Sequence, residues 1–301
     1  MKDQAERLRE LMRERIKSEQ GYTTNNKAKV LAVTSGKGGV GKTNFAINLA
    51  ISIKRLGYRV IVFDADFGLA NVEILTGTDI KYTIADLIVN EKSIFEIISN
   101  GPEGIKLISG GTGFQELSMM SRDNINKLLI EIEKLESITD FIIIDTGAGI
   151  SNTVLDLAMA ADEVILITTP DPTSVMDGYT VIKALNINGY RGRLNVVTNI
   201  VGNRREALST FNRLNTACNS FLKLDLNFLG YLERSNIINK AVKNQVPFLL
   251  SNPSSSVSKK INIMALKFID NKKCDHLSKN LSFAQKLKAL LLGKDDIPYD
   301  Q

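Results

Sequence analysis

The octapeptide Gly36 to Thr43, GKGGVGKT, limits the possible folds of this chain more than any other stretch. It follows a short apolar run, Val30 to Val33, and precedes a helix-like run from Asn44 to Arg55, so its setting is strand, glycine loop, helix. Gly36, Gly38, Gly39 and Gly41 let backbone N–H groups turn inward onto phosphate oxygens without Cβ clashes, and the spacing fits GxxxxGK[ST]. In that pattern Lys42 reaches the β- and γ-phosphates, Thr43 holds Mg²⁺, and Lys37, Val40 and Asn44 complete the cradle around ATP or ADP. Gly36, Gly38 and Gly41 also spell GxGxxG, with Asp64 about where a dinucleotide fold carries its ribose-binding acid. The Lys42–Thr43 pair decides against that alternative, since a dinucleotide loop requires neither and a triphosphate site uses both.

A chain of 301 residues can bury a full core, and one large α/β domain with extensions is favoured over two modest ones. With 44% apolar and 24% charged residues, a largely disordered chain is excluded. The N-terminus is a charged run without an apolar signal region, and no stretch is apolar enough to span a bilayer, so a cytoplasmic location is expected. Cys218 and Cys274 are the only cysteines and form no CxxC motif. The single histidine, His276, leaves His-based triads and metal sites without residues. A net charge of +5 permits contact with an acidic surface without identifying nucleic acid or lipid.

From Lys29 onward, apolar runs alternate with helical patterns. Strands are expected at 30–34, 59–63, 105–108, 141–144, 164–168, 194–199 and 226–229, and helices at 43–55, 124–135, 174–185 and 204–221. Near-continuous Val/Ile/Leu strands separated by helices imply a doubly wound, mostly parallel sheet of P-loop type with helices on both faces. Ligands of such sheets bind at the carboxyl ends of the strands. Asp64 and Asp66 leave the second strand, Asp64 as a candidate Mg²⁺ ligand and Asp66 to position an attacking water. Phe141 to Ile144 ends in Asp145, followed by Gly147 and Gly149, a Walker B pattern in which Asp145 orders the metal shell. Thr168 to Pro172 reads as a rigid turn, either structural or beside the nucleotide. Asn199 is placed to hydrogen-bond a base edge. The stretch from Thr83 to Gly113 has two short helical patterns and no assignable role.

Both ends carry helical patterns. Residues 1–20 alternate charges around a thin seam of Ala5, Leu8, Met12 and Ile16, which fits a solvated helix or a partner-binding one. Residues 21–28 read as a polar linker, 29–275 as the P-loop domain and 276–301 as a tail. In the tail Phe283, Leu287, Leu290 and Leu291 share an arc flanked by lysines, with Leu281 and Leu292 on the opposite side. Such a helix either packs on its own domain or targets anionic lipid by shallow insertion.

KGGVGKT, with Lys37 ahead of the two glycines, is similar to the deviant Walker A motif of the MinD/ParA class of P-loop ATPases. The similarity runs from about residue 29 to 250 and includes GLANVEILTG after Asp66. It implies a homodimer closed on two ATP molecules, with Lys37 contacting phosphate across the interface and hydrolysis slow and dimer-dependent. It also implies that Lys42 and Asp66 act in turnover and that Asp64 and Asp145 support Mg²⁺. Asp3 to Arg9, DQAERLR, resembles the DQAxxLR signature of the FlhG subfamily (also FleN or YlxH), regulators of flagellum number and placement. That resemblance implies that the N-terminal helix stimulates an FlhF-type GTPase of the signal-recognition kind, with Gln4 assisting hydrolysis and Ala5, Leu8 and Arg9 in the contact. It further implies reversible association with the inner face of the membrane, and basal-body switch (C-ring) proteins or a flagellar transcription regulator as partners. DNA partition by a ParA-type ATPase and a MinD-like role in division-site selection are the alternatives. Nucleic acid is not expected, because the basic residues are scattered between acids and no helix-turn-helix extension is visible.

Overall fold

The structure is a computed structural model, and it describes residues 27–66, 71–111, 120–275 and 281–292. Among the described residues eight strands form one sheet: β1 (Lys29–Ser35), β2 (Val60–Ala65), β3 (Ser99–Asn100), β4 (Lys106–Ser109), β5 (Phe141–Ala148), β6 (Glu163–Thr168), β7 (Arg193–Val201) and β8 (Asn227–Glu233). Their spatial order is β3-β4-β2-β5-β1-β6-β7-β8, parallel throughout except that the edge strand β3 runs antiparallel to β4. β1 therefore lies between β5 and β6, where the winding reverses, and its carboxyl end opens into the glycine loop.

Successive side chains of a strand point to opposite faces, and both faces here are apolar. Val30 and Ala32 of β1 join one core, Leu31 and Val33 the other. Helix α1 (Lys42–Arg55) lies on the second face and is apolar nearly all round, because α11 (Ser256–Asp275) covers its outer side. Two short helices precede α11 on that side, α9 (Asn236–Lys243) and α10 (Phe248–Ser251). The first face is covered by α5 (Arg122–Ile138), α6 (Asn152–Ala160), α7 (Pro172–Ile187) and α8 (Arg204–Leu222), with the short helices α3 (Ile84–Val89) and α4 (Ile94–Ile97) at the sheet edge. Helix α2 (Asn71–Thr76) follows β2 and packs on α1.

The last described element, α12 (Phe283–Leu292), packs against α5 and α6. This corrects the expected lipid-facing assignment of Phe283 and Leu287. Both are buried in the core, at 4% and 0% exposure, while Leu290 is exposed and Leu291 half-buried. Three contacts hold the helix. Apolar burial is the first; the second is Glu136 of α5, whose carboxylate accepts the backbone N–H groups of Phe283 and Ala284 at 2.9 and 3.2 Å, an anion on a helix N-terminus. The third is an ion pair between Lys286 and Asp162, 2.5 Å long. The tail assigned to 276–301 is thus, over its described residues, part of the domain core. Ala28, expected in the linker, is likewise buried. Residues 1–26, with Gln4, Ala5, Leu8 and Arg9, lie outside the described residues. Among the described residues no helix is long and apolar enough to cross a membrane.

Candidate nucleotide site

The loop between β1 and α1 depends on two close approaches. A Cβ on Gly36 would lie 2.2 Å from the backbone carbonyl carbon of Asp177 in α7, so only glycine fits there. Gly41 has φ +91°, in the left-handed region, and a Cβ on it would sit 2.5 Å from Asn199 Nδ2. Helix α1 begins just after it, with no side-chain cap and no acidic residue in its first turn. Its first backbone N–H groups, the helix dipole and the buried Lys42 ammonium are thus left for an anion.

Two carboxylates stand beside this anion site. Asp64 and Asp145 are paired in register on adjacent strands β2 and β5. Asp145 is fully buried, and neither of its carboxylate oxygens closes a hydrogen bond of ordinary geometry. Burial, reinforced by the Asp64 charge, lifts it to about 8, although the Thr43 hydroxyl and the Lys42 ammonium nearby pull the other way. Asp64 accepts from the backbone N–H of Asp66 at 3.1 Å and of Val72 at 3.4 Å, yet burial still raises it to about 6. Buried carboxylate oxygens without donors are an arrangement that a hard cation completes, and Thr43, Asp64 and Asp145 fit Mg²⁺ on that ground. Among the described residues no cluster of three His, Cys, Asp or Glu side chains forms a metal cage. A Mg²⁺ ion sharing its coordination between few protein groups and phosphate oxygens needs none. Asp66 lies at the mouth of the site, its Oδ1 3.5 Å from where a Cβ on Gly147 would be, so the carboxylate faces the glycine segment after β5.

Lys37 points elsewhere. Its ammonium donates to Asp171 Oδ2 at 2.9 Å and Thr173 Oγ1 at 2.8 Å, and both partners of the ion pair are 45% exposed. The Lys37 hydrogen bond, followed by those of Thr173, holds the Asp171 carboxyl at about 2. Asp171 also caps α7 by accepting Thr173 N–H, with Pro172 at the first helical position. The Thr168 to Pro172 turn therefore serves both as a helix start and as the anchor of Lys37. The sequence alone predicts only a rigid turn here; the Asp-Pro dipeptide is a local signal for such a helix start, while nothing local signals the contact with the lysine.

Asn199 departs from the base-edge expectation. It is 6% exposed, its Nδ2 donates to the Val40 carbonyl at 2.7 Å, and its Oδ1 accepts from Ile200 N–H at 2.9 Å. Its first role is to brace the glycine loop, which leaves one amide hydrogen and one lone pair for a base. Next to it Ile200 has φ +59°, a strained conformation for a β-branched residue and invisible in the sequence pattern.

A mostly parallel sheet with its glycine loop at the reversal point and paired acids on the two neighbouring strands β2 and β5 defines a P-loop NTPase. The chain belongs to the ParA family, described as NUBPL iron-transfer P-loop NTPase, whose model matches residues 26–269. Among curated proteins it is 35% identical over 229 residues to the antiactivator FleN of Pseudomonas aeruginosa, covering 76% of this chain and 82% of FleN. It is 37% identical over 247 residues to the flagellum site-determining protein YlxH of Helicobacter pylori, covering 81% and 83%. Among solved structures, MinD of Pyrococcus horikoshii with Mg-ADP shares the fold at TM-score 0.66 and 20% identity, over 83% of this chain and all of that one. The MinC:MinD complex of Aquifex aeolicus matches at 0.65 and 23%, over 85% and 98%.

Proposed function

We propose that this chain is an ATP-dependent dimerisation switch that regulates flagellum number and placement, hydrolysing ATP slowly and only as a homodimer. The observation that carries this reading is Lys37. A lysine inside the glycine loop whose ammonium is half-exposed and tied to Asp171 on the outer surface is available to the phosphates of a second copy. The similarity to FleN and YlxH supports the flagellar part.

In the dimer, Lys37 exchanges Asp171 for phosphate oxygens across the interface and offsets charge developing in phosphoryl transfer. Lys42 and the α1 N–H groups hold the β- and γ-phosphates in cis, and Asp66 orients the attacking water. Thr43, Asp64 and Asp145 would hold Mg²⁺, which would supply neutralisation of the phosphate charge. Asn199 keeps the loop in shape and offers its remaining amide groups to the base.

The finer partnerships belong to the same proposal. The N-terminal helix stimulates an FlhF-type GTPase through Gln4, with Ala5, Leu8 and Arg9 in the contact, and C-ring proteins or a flagellar transcription regulator are further partners. Reversible association with the inner face of the membrane requires α12 to leave its groove, since its apolar side is now spent on α5 and α6. Two such helices on one dimer bind far better than one, because the second insertion is intramolecular.

Light scattering on Asp66→Ala with ATP tests the core of the reading. A stable dimer that Lys37→Ala abolishes is expected, and a variant that stays monomeric with ATP overturns it. For the N-terminal helix, a peptide of residues 1–20 should accelerate GTP hydrolysis by the FlhF-type partner, and Gln4→Ala should remove the effect.

A further inference from the structure

Helices α7 and α8 lie side by side on one face of the sheet, and each connects two parallel strands, so both end at the amino edge of the sheet, opposite the nucleotide site. Their last turns carry Ile187 and Phe221, which stay 71% and 76% exposed. Among the large apolar side chains of the described residues only Val89, on α3 at the far edge of the sheet, is as exposed. Single exposed apolar residues are ordinary, but two on neighbouring helix tips form a feature of one end of the molecule.

In both connections the chain spends other residues on the core. After α7, Gly189 takes φ +82° and turns the chain back so that Tyr190 is buried. A Cβ on Gly192 would then lie 2.2 Å from the Tyr190 hydroxyl and 2.6 Å from the Asp162 carbonyl. After α8, Lys223 takes φ +56°, and Leu222 and Leu224 pack against the core. Phe221 extends the buried row of Ala207, Thr210, Leu214 and Cys218 by one turn, yet it lies beyond the core that covers them. The charge at this end is one-sided. Lys183, Arg191, Arg193 and Lys223 are all exposed, and from 183 to 193 and from 219 to 227 the chain has one acid, Asp225, which accepts from the Asn219 amide at 2.6 Å. Arg193 stands 3.6 Å from the buried Glu163, and Lys223 donates to the Ser220 carbonyl at 3.3 Å. Among the described residues neither Lys183 nor Arg191 has an acidic partner. Asp162, which borders this end, is taken up by Lys286 of α12 and the Val30 N–H.

We propose that the tips of α7 and α8 form a contact for an anionic lipid surface, separate from α12. The inference rests on the membrane association proposed above and adds a contact that needs no release of α12. Ile187 and Phe221 enter between the headgroups, while the four cations meet lipid phosphates around them. Apolar side chains projecting at the end of two parallel helices, rimmed by cations, suit a plane of mixed polar and apolar character. A nucleic acid backbone would call for the cations without the apolar tips. A second copy seated on the same tips would set like charges against each other. Asp162 joins α12 to this end, through Lys286 on one side and the Gly192 turn on the other, so an α12 that leaves its groove meets the same bilayer.

The sequence contains no tryptophan, so Ile187→Trp and Phe221→Trp each give the full chain a single reporter. With ATP and vesicles of equimolar phosphatidylglycerol and phosphatidylcholine, the emission of both should shift to the blue and be quenched by brominated acyl chains. Neither change should occur with phosphatidylcholine alone, nor with Val89→Trp. In co-sedimentation Ile187→Asn/Phe221→Ser should lose at least about tenfold in apparent affinity for the anionic vesicles. Lys183→Gln/Lys223→Gln should weaken binding and flatten its salt dependence. The double apolar variant should show the same loss when Glu136→Ala weakens the α12 dock. Binding by the unaltered chain with unquenched reporters and an unaffected double variant overturns this contact alone. Absence of any binding of the unaltered chain to anionic vesicles overturns the membrane reading above and this contact with it. Reporters that respond to DNA or to rising protein concentration, and not to vesicles, overturn it as well.

Discussion

Gly36 and Gly38 stand two residues apart in the loop, and alanine affects them differently. At Gly36 a methyl group meets the Asp177 backbone at 2.2 Å, so α7 must shift, and overpacking of this kind costs about 1–3 kcal/mol. At Gly38 nothing lies within 4 Å. Gly36→Ala should therefore lower the denaturation midpoint and weaken nucleotide binding, while Gly38→Ala should leave the midpoint nearly unchanged. The acids give a second expectation. Asp64 near 6 and Asp145 near 8 bind protons more tightly in the folded metal-free chain than in the unfolded one, so stability falls as pH rises from about 4 through those values. The thermal midpoint without Mg²⁺ should drop between about pH 5 and pH 8.5, Asp145→Asn should flatten the upper part, and Mg²⁺ with ADP should oppose the fall. A metal-free midpoint that rises over this range would show that neither acid is destabilised by burial. The positions of the loop residues at the start of α1 and of Asp64 and Asp145 toward the carboxyl ends of neighbouring strands were legible, because they follow from short spacings after apolar runs. Asp171 as the anchor of Lys37, and Asp177 behind Gly36, were not, because each meets the loop from a separate part of the chain.

At the scale of single elements, α12 shows what a stripe of apolar residues leaves open. Phe283, Leu287 and Leu291 at helical spacing fit a lipid surface and a protein groove equally well. The groove on α5 and α6, with Glu136 at its end, decides the matter in this structure. Glu136→Ala alters the dock without touching the helix, removing two charge-assisted hydrogen bonds and costing about 1–3 kcal/mol. That should raise the undocked population about tenfold or more and increase vesicle co-sedimentation in the absence of ATP. Unchanged vesicle binding would mean that membrane association does not involve release of α12. The long helix α11 was readable and went unassigned in the sequence. Val257, Ile261, Met264, Ala265, Phe268 and Ile269 follow helical spacing, and all six are buried. The edge strand β3 is two residues long and carried no pattern to find.

For the whole molecule, the alternation of apolar runs and helices fixed class and layers, since seven of the eight strands coincide with such runs. Spatial order was not legible, because it rests on side chains that meet only across strands. At the amino end of the sheet Lys29 pairs with Glu163 at 2.7 Å, Asn195 donates to Glu163 and Asn227 donates to Asn195, a polar ladder across β1, β6, β7 and β8 that is buried at Lys29, Glu163 and Asn195 and reaches the surface at Asn227. Lys29→Met leaves the buried Glu163 carboxylate with only the half-exposed Arg193 at 3.6 Å and the Asn195 amide at 2.8 Å, so it should cost about 1–3 kcal/mol in chemical denaturation. Pairing it with Glu163→Leu should recover much of the loss. Finally, the glycine segment that faces Asp66 runs directly into α6, and α6 forms one wall of the α12 groove. One helix of nine residues, about 14 Å long, thus spans from the phosphate end of the molecule to the bed of its last helix. In a close-packed interior that makes it the shortest packed route by which a displacement at Gly147 to Gly149 could reach the bed of Phe283 and Leu287, and hydrogen exchange at α12 with and without Mg-ADP is the measurement that reads it.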